Sequence, residues 1–459
     1  MIFRFKVLII VWLTCVIISS ICQFSVSGGS ALKFVQLVWR HGDRTPIHYI
    51  PSDTANGPRS WPQGPGELTL AGMLQHYDIG QFMRDRYVYD YKLLSQNYNS
   101  TEIYVRSTNY NRTLMSAASN MAGFFPSSGF GIPNLKWSPV PVHAADSNLI
   151  DCYCPYYTTL IDELHNSDRW KRRAAQRKPF YDWLTSVSQY PETLSDLNIG
   201  HVYDPLRCEM WHNRTWPSYV NKTVYDTIER YCFDSPLEPV TYQRYVIGLL
   251  LNEIISRMRD ATTKTASDPT LKMCVYSGHD STVMPLLKVL GLYNNHNPPY
   301  GSVVIFELHE DSQQQHFVRV LFRNTTRDYR RAPVILQNVT GCPSSDCPFD
   351  TFVTRSQPFI LTPQEYPSVC HLSNYDQRVL PRGAAANFLI HFPIGISGVK
   401  QQNTVSYVVI YKDLSLCLAL VVVVSVLSSI ILFITVFRRR RMISNMRSGY
   451  RILQRSFEL

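Results

Sequence analysis

Apolar residues in the first and last thirds of the chain follow the patterns of alternating strands and helices. Residues 32–39 are apolar and rich in aromatic and β-branched side chains, which predicts a buried strand. Thr69 is a good N-cap for a helix that runs to about Tyr87. The apolar face of this predicted helix consists of Leu70, Met73, Leu74 and Tyr77.

The remaining apolar segments of these two thirds also have the patterns of strands and helices. They predict strands over 102–105 and 271–276, helices over 112–124 and 242–258, and a hairpin over 302–309 and 316–323. Strands that are separated by helices predict an α/β fold, with helices on both faces of one sheet.

The middle of the chain has a different pattern. Between about Gly131 and Tyr242, strand-like runs are scarce, and turn signals interrupt the helical stretches. We therefore predict a smaller inserted helical domain over residues 131–242. The α/β domain then consists of residues 31–130 and 243–375.

The first residues have the layout of a secretory signal peptide. Arg4 and Lys6 precede an apolar run, 7–21, that is too short for a comfortable membrane span. Small and polar residues follow, and cleavage after either Cys22 or Ser27 satisfies the small-residue rule. We predict a signal peptide over residues 1–27.

A second apolar segment, 414–437, contains 24 residues and no charge, which is long enough to cross a hydrocarbon core of about 30 Å. Four arginines follow at 438–441, and such a cluster stays on the cytoplasmic side of a membrane. We predict a single-pass type I membrane protein with a linker over 376–413, a C-terminal transmembrane helix over 414–437 and a cytoplasmic tail over 438–459. Its N-terminal bulk then faces a lysosomal or endosomal lumen or the cell exterior.

The net charge of the chain does not indicate a nucleic-acid partner. Of the formal +10, two charges come from Arg4 and Lys6 and six from the last 22 residues, which leaves about +2 for the rest. A hydrophobic content of 45% allows a sizeable core and excludes a disordered chain. The basic excess therefore belongs to the two ends.

The cysteines and glycosylation sequons agree with an oxidising compartment. Eight cysteines lie between the predicted signal peptide and the apolar segment at 414–437, and most of them can pair in such a compartment. A zinc site needs two Cys/His pairs at ligand spacing, and the pair Cys152 and Cys154 has no such second pair. A sequon at Asn111 lies beside the predicted site and is expected to stay unmodified. The predicted N-glycosylation sites are Asn99, Asn213, Asn221, Asn324 and Asn338.

Charged or ionisable side chains follow three of the predicted strands. The first strand ends in Arg40-His41-Gly42-Asp43-Arg44, the strand over 102–105 in Arg106, and the strand over 271–276 in Ser277-Gly278-His279-Asp280. In open α/β sheets, ligands bind outside the carboxyl ends of the strands. The sequence therefore predicts a strongly positive pocket at this edge, which suits a phosphate dianion.

These residue types supply the groups that phosphoryl transfer needs. Three guanidinium groups can bind the phosphate oxygens and fix the phosphorus for in-line attack. A neutral imidazole can attack phosphorus and form a covalent intermediate, and a carboxylic acid can protonate the leaving alkoxide. Because the arginines supply the positive charge, no metal and no cofactor are required.

The motif Arg40-His41-Gly42-x-Arg44-x-Pro46 resembles the signature of the histidine acid phosphatases, a branch of the histidine phosphatase superfamily. Further segments are similar to the animal members of this family, and the likeness runs from about residue 32 to 370. These segments are Ser60-Trp61-Pro62-Gln63-Gly64, Gly66-Glu67-Leu68-Thr69, Gln75-His76-Tyr77, Arg106-Ser107-Thr108 and Tyr203-Asp204-Pro205.

The resemblance implies a role for each candidate residue. His41 would be the nucleophile and Asp280 the proton donor to the leaving group, so that a phosphate monoester is cleaved through a phosphohistidine. The phosphate would be bound by Arg40, Arg44, Arg106 and His279. The implied fold is a mixed-sheet α/β domain with a smaller helical insertion, and family members are often homodimers.

The resemblance also implies a disulfide pattern. Two pairs would match the family, Cys154–Cys370 and Cys342–Cys347. A third family disulfide joins the cysteine at position 208 to one at position 303, where this chain has Val303. We therefore expect Cys208 to pair with Cys232, which leaves Cys152 and Cys274 as free thiols.

Two alternative functions are compatible with these motifs. An inactive membrane glycoprotein that keeps the fold would usually lose a nucleophile or a phosphate arginine, and none is missing here. An inositol-phosphate phosphatase would share both motifs, but the near-neutral bulk of the chain disfavours a site for so highly charged a substrate. The favoured substrates are small phosphate monoesters or phosphoproteins.

Overall fold

The computed structural model describes residues 30–126, 139–144, 147–233, 238–263, 270–325 and 328–371. The predicted signal peptide, linker, transmembrane segment and tail lie outside these ranges. Within the described part of the chain, no helix is long and apolar enough to span a membrane.

One mixed sheet of seven strands forms the centre of the fold. The order of the main strands is β2-β3-β1-β4-β5-β6, and β7 pairs with β5. The strands are β1 Ala31–Arg40, β2 Ile103–Ser107, β3 Met273–Gly278, β4 Val303–Glu310, β5 His316–Arg323, β6 Ile335–Gln337 and β7 Cys347–Pro348.

The strands that end in the predicted site run in the same direction. β3 lies between β1 and β2 and is parallel to both, so that Ser277 pairs with Trp39 on one side and Ser107 on the other. β4 and β5 are antiparallel neighbours on the far side of β1. The mixed sheet is thus confirmed, and the carboxyl ends of β1, β2 and β3 meet at one edge.

Helices cover both faces of this sheet, because successive side chains of a strand point to opposite sides. Leu37 of β1 packs in an apolar cluster with α1 and α2, whereas Val38 packs in another with α7 and α8. These helices are α1 Leu70–Arg84, α2 Asn111–Phe124, α7 Arg244–Thr262 and α8 Asp280–Leu290.

The helix predicted from Thr69 exists, but it buries a different face from the predicted one. Leu70 and Leu74 are 67% and 55% exposed. The buried face of α1 is formed by glycine and polar side chains together with Ile79 and Met83: Gly72, Gln75, His76 and Gly80. Tertiary contacts with the loop after β1 decide which face is buried, and the apolar pattern alone does not show these contacts.

Four helices fill the middle of the chain, and the residues described between 139 and 233 contribute no strand to the sheet. The last three of them share an apolar cluster around Leu184, Val202, Leu206 and Ile228, whereas Tyr156 and Tyr157 of the first pack against the cluster that contains Val38. The helices are α3 Pro155–Asn166, α4 Asp168–Ser188, α5 Gly200–Trp211 and α6 Lys222–Phe233. The domain boundaries at 131 and 242 stay a prediction.

Short elements complete the described chain. A π-helical turn, Asp85–Asp90, continues α1, and two short helices follow the sheet: α9 Phe349–Ser356 and α10 Tyr366–Val369. The five asparagines predicted to carry glycans are all exposed, while their glycosylation stays a prediction.

Two predicted disulfides are present and the third is not. Cys154–Cys370 and Cys342–Cys347 are bonded, and Cys152 and Cys274 form no disulfide, as predicted. The prediction of a Cys208–Cys232 bond is wrong, since both thiols are free.

Cys208 belongs to α5 and Cys232 to α6, and their positions along α5 explain why they do not bond. The sulfur of Cys232 lies against Gly200, at the start of α5. Cys208 lies eight residues further along the same helix, a rise of about 12 Å. A disulfide requires Cα atoms within about 7 Å of each other.

The loop after β1 approaches α1 so closely that glycine is required at the contact. A Cβ atom on Gly72 would overlap the carbonyl oxygen of Asp43, and one on Gly42 would overlap the carbonyl oxygen of Gly72. Both clashes are with backbone atoms, which cannot rotate away. This contact fixes α1 against the loop that carries His41.

We expect Gly72→Ala to lower the free energy of unfolding by about 1–3 kcal/mol, the usual cost of overpacking. At a helical position with space for a Cβ atom, a change from glycine to alanine would raise the free energy of unfolding by up to about 1 kcal/mol. Gly200→Ala is the matched control, because a Cβ there meets only the sulfur of Cys232 at an ordinary 3.7 Å. Urea unfolding of both variants measures the difference, and equal stabilities would contradict the contact.

Candidate active site

Backbone hydrogen bonds bring the three strand ends together. The His41 N–H donates to the Gly278 carbonyl over 2.9 Å, and the Thr108 N–H donates to the Ser277 carbonyl over 3.1 Å. His279 and Asp280 follow β3 directly, at the start of α8. The prediction that these segments share one edge of the sheet is therefore confirmed.

His41 is buried, and its hydrogen bond fixes its tautomer. Its Nδ1 lies 2.7 Å from the carbonyl oxygen of Gly42. A carbonyl oxygen can only accept, so Nδ1 carries the proton and Nε2 keeps its lone pair. Burial lowers the pKa of His41 well below its usual value, and the charges of Arg40 and Arg44 lower it further. The imidazole thus stays neutral in mildly acid solution.

Side chains of α1 and α2 hold the backbone on both sides of His41. His76 of α1 lies with its Nε2 3.1 Å from the Arg40 carbonyl, to which it donates. Ser116 of α2 accepts the N–H of Gly42 over 3.1 Å. Burial lowers the pKa of His76 to about 4, so it stays neutral as well.

Asp43 extends this support. Its N–H donates to the side chain of Gln75 over 2.8 Å, and its carbonyl accepts the N–H of Thr69 over 3.0 Å. Its carboxylate accepts from the Thr69 hydroxyl and from Nε2 of His212, which is 2.7 Å away at the end of α5. Asp43 therefore supports the loop, and it also connects the loop to the helices of residues 155–233.

Arg40 is almost fully buried beside His41. Its Nη2 lies 2.9 Å from a carboxylate oxygen of Asp280, and its Nη1 donates to Asn297 over 3.2 Å and to the Pro298 carbonyl over 2.6 Å. Its guanidinium carbon lies 4.3 Å above the centre of the Tyr300 ring. These contacts fix the plane of the guanidinium group.

Arg44 is held by the helix α5. Its Nη2 lies 2.7 Å from Oδ1 of Asp204, and its Nη1 donates to the Thr45 carbonyl over 3.0 Å. The other oxygen of Asp204 accepts the N–H of Ile47 over 2.7 Å. One carboxylate thus fixes both the arginine and the backbone that follows it.

The third arginine of this group is Arg112 instead of the predicted Arg106. Arg112 lies in the first turn of α2, and its charge lowers the pKa of His41 and of His279. Arg106 is buried in β2, and it is not among the largest influences on either histidine. Its charge acts on Tyr104, His143 and Tyr276.

The sequence contains a signal for Arg112 that the strand-end argument missed. In a strand–loop–helix unit, the first turn of the helix also lies at the carboxyl edge of the sheet. Arg112 is the second residue of the helix that follows β2. Arg106, by contrast, precedes the end of the strand and pairs with Tyr276 inside the sheet.

His279 and Asp280, at the start of α8, complete the site beside the arginines. Nε2 of His279 lies 2.9 Å from the Thr108 hydroxyl, and its ring centre lies 5.5 Å from that of His41. Burial, followed by the charge of Arg112, lowers the pKa of His279 to about 3. The imidazole is therefore neutral.

Asp280 is ionised in the free protein. Burial raises the pKa of its carboxyl, but the charges of Arg40 and Arg44 outweigh burial and bring the pKa well below its usual range. Its side chain remains 32% exposed, so the carboxylate borders the solvent side of the site.

Together these residues form a cluster of three guanidinium groups and two neutral imidazoles, with one carboxylate at its border. An uncharged imidazole with a free lone pair, surrounded by fixed positive charge, is suited to a dianionic ligand. Among the residues that the structure describes, no group of three or more His, Cys, Asp or Glu side chains is placed to hold a metal ion.

The family model that matches this chain agrees with the curated proteins that are similar to it. The family model of the histidine phosphatase superfamily (branch 2) matches residues 31–323. Rat prostatic acid phosphatase is 36% identical over 353 residues, which cover 74% of this chain and 89% of that protein. Bovine lysosomal acid phosphatase is 33% identical over 360 residues, or 74% and 81% of the two chains.

Solved structures show the same fold at lower identity. A phytase from Klebsiella superposes with a TM-score of 0.55 at 19% identity, covering 73% of this chain and 98% of that one. A Hafnia alvei phytase in complex with tartrate has a TM-score of 0.54 at 17% identity, with coverage of 72% and 98%. At such identities the likeness concerns the fold alone. The curated relatives confirm that this chain is a phosphatase of the acid phosphatase type, and the chain belongs to the histidine phosphatase superfamily (branch 2).

Proposed function

We propose that this protein hydrolyses phosphate monoesters through a phosphohistidine intermediate on His41. The observation that carries the proposal is the state of that ring. Nδ1 donates to a backbone carbonyl, so Nε2 keeps its lone pair, and burial among arginines keeps the ring neutral in acid. A nucleophile with this protonation state works where most histidines are protonated.

Arg40, Arg44 and Arg112 bind the phosphate oxygens in this proposal, and His279 donates a further hydrogen bond. Nε2 of His41 then attacks phosphorus while the bond to the leaving oxygen breaks. In the second step a water attacks the phosphohistidine, the phosphorus–nitrogen bond breaks, and phosphate leaves. His41 returns to its neutral state.

Asp280 supplies the proton for the leaving oxygen in the first step and accepts one from water in the second. In the free protein it is an ionised partner of Arg40, 2.9 Å away. A bound phosphate dianion competes for the same guanidinium charge, which raises the pKa of Asp280. We infer that substrate binding itself prepares the proton donor, and that acid solution favours this state.

One observation disfavours each of the two alternative functions. An inactive glycoprotein has no need for a buried neutral histidine whose backbone is held by two helices. The likeness to phytases is one of fold and does not carry their substrate to this chain.

The setting of the enzyme is also a proposal. The two disulfides, the exposed sequons and the apolar segment at 414–437 support a membrane-anchored protein with its catalytic part in a lysosomal or endosomal lumen or outside the cell. A homodimer is part of the same proposal, on the likeness to the family.

We expect His41→Ala to abolish turnover, because the covalent intermediate forms on that ring. Rapid quenching with a radiolabelled phosphate ester should trap an acid-labile phosphoprotein on the wild type alone. Unchanged thermal unfolding shows that the variant is folded. More than a trace of activity in the folded variant places the nucleophile elsewhere.

We expect Asp280→Asn to slow alkyl phosphates far more than nitrophenyl phosphate, whose leaving group hardly needs a proton. General acid catalysis contributes about 10²–10⁴ in rate, so the ratio of kcat values for the two substrates should change by a comparable factor. His279→Gln is the control, and it should affect both substrates alike through phosphate binding. Equal losses on both substrates for Asp280→Asn would contradict its role as proton donor.

We expect Arg112→Lys to weaken inhibition by inorganic phosphate at least about tenfold, because lysine loses the fork of donors and charged hydrogen bonds contribute about 1.5–3 kcal/mol. Arg106→Lys is the matched control, with the same chemical change outside the site. It should leave the inhibition constant within about threefold. If Arg106→Lys weakened inhibition by phosphate more than Arg112→Lys does, Arg106 would be the third phosphate ligand.

A further inference from the structure

Two histidines that the proposed reaction does not use stack beside the phosphate-binding arginines. The ring centres of His48 and His201 lie 4.1 Å apart. His48 belongs to the loop after β1, and His201 is the second residue of α5. They are brought together across the junction between the α/β part and the helices of residues 155–233.

Asp204 fixes this pair relative to the site. Its two oxygens hold Nη2 of Arg44 and the N–H of Ile47, the residue before His48. His201 lies three residues before Asp204, so the two side chains project from the same side of α5. Both imidazoles therefore lie next to Arg44. They are nearer to solvent than Arg44 is, because exposure rises from 7% at Arg44 to 41% at Ile47.

Neither imidazole has a polar partner that would explain the arrangement. Within the described part of the chain, no hydrogen bond or ion pair engages the ring nitrogens of His48 or His201, and Nδ1 of His201 is buried. The charges of Arg40 and Arg44 are matched by Asp280 and Asp204. The ring nitrogens of the stacked pair can therefore still bind a ligand on the solvent side of Arg44.

We propose that His48 and His201 form a second anion subsite at the mouth of the phosphate pocket, which favours substrates with a further anionic group, above all a second phosphate. This inference rests on the proposed function. Two adjacent imidazolium rings repel each other unless an anion lies against them, so proton uptake and binding of the second group favour each other.

The surroundings of the pair determine the sign of the pH effect. Burial lowers the pKa of His48. The neighbouring His201 and Arg44 lower the pKa of His48 further, whereas Asp204 raises it. Tyr49, on the same loop, has its pKa raised by burial and is uncharged in acid and at neutral pH. Tyr190, after α4, contacts His201 with a ring distance of 5.7 Å and carries no charge in this range.

Because burial, His201 and Arg44 lower the pKa of His48, this ring is neutral above about pH 7 and takes up a proton as the pH falls. Asp204 is the one carboxylate among the groups named, and Arg44 already holds it. The preference for a second anionic group should therefore grow with acidity.

The test compares butyl phosphate with 4-sulfobutyl phosphate, whose sulfonate keeps its charge at every pH. The measured quantity is the ratio of kcat/KM for the two substrates at pH 5 and at pH 7.5. For the wild type, we expect the ratio to be roughly fivefold higher at pH 5, the effect of one or two partly exposed ion pairs. Ionisable groups that change kcat/KM equally for both substrates do not change this ratio.

Three variants test the residues. The double variant with His48→Gln and His201→Gln should lose the pH dependence of the ratio and keep its kcat/KM for butyl phosphate. His48→Lys should show the preference at both pH values, since lysine stays charged. His316→Gln is the control, because His316 pairs with Glu310 at the opposite end of the sheet from His41, and it should behave like the wild type.

Each outcome is decisive. An equal ratio at pH 5 for the wild type and the double variant overturns the subsite, and so does an equal loss on both substrates, which would assign the two histidines to support of Arg44. If no chain hydrolyses butyl phosphate, the proposed function itself fails, and the subsite fails with it.

Discussion

The structure of the site depends on keeping an uncharged imidazole among three guanidinium groups. Positive charge is needed to attract and neutralise a phosphate dianion, and burial together with the same charge prevents His41 from binding a proton. The hydrogen bond from Nδ1 to the Gly42 carbonyl then decides which nitrogen keeps the lone pair. The positive charge proposed to bind the substrate thus also helps to keep the proposed nucleophile neutral.

This arrangement requires a backbone that cannot relax, and the packing of α1 and α2 supplies it. His76, Ser116 and Gln75 bind successive backbone groups around His41, and the contact between Gly42 and Gly72 leaves no room for adjustment. The face of α1 that points to the loop is therefore polar and glycine-rich, while Leu70 and Leu74 remain exposed. Here the demands of the site take precedence over ordinary amphipathic burial.

The helices of residues 155–233 complete the site. Asp204 holds Arg44 and His212 contacts Asp43, so α5 fixes two residues of the loop that carries His41. Cys208 lies on the same helix, 3.9 Å from Nη1 of Arg44 and 3.5 Å from the Tyr300 hydroxyl. Burial raises the pKa of its thiol to about 12, which makes it a packing group there, unreactive as a thiol.

Most candidate residues of the site could be predicted from the sequence alone. His41, His279 and Asp280 follow strands whose apolar pattern is clear, and the motif around His41 is long enough to indicate a family. Local patterns suffice for such residues, because a strand end and the two or three residues after it have only one place in a parallel sheet.

The tertiary structure was needed for the features that depend on which faces of the elements meet. It selected Arg112 over Arg106, because one projects from a helix start into the site and the other lies inside the sheet. It kept Cys208 and Cys232 apart, because α5 separates them by about 12 Å. It also brought His48 and His201 into contact across 153 positions of sequence. Such contacts join segments that are distant in the chain, and no local pattern of apolar and polar residues contains them.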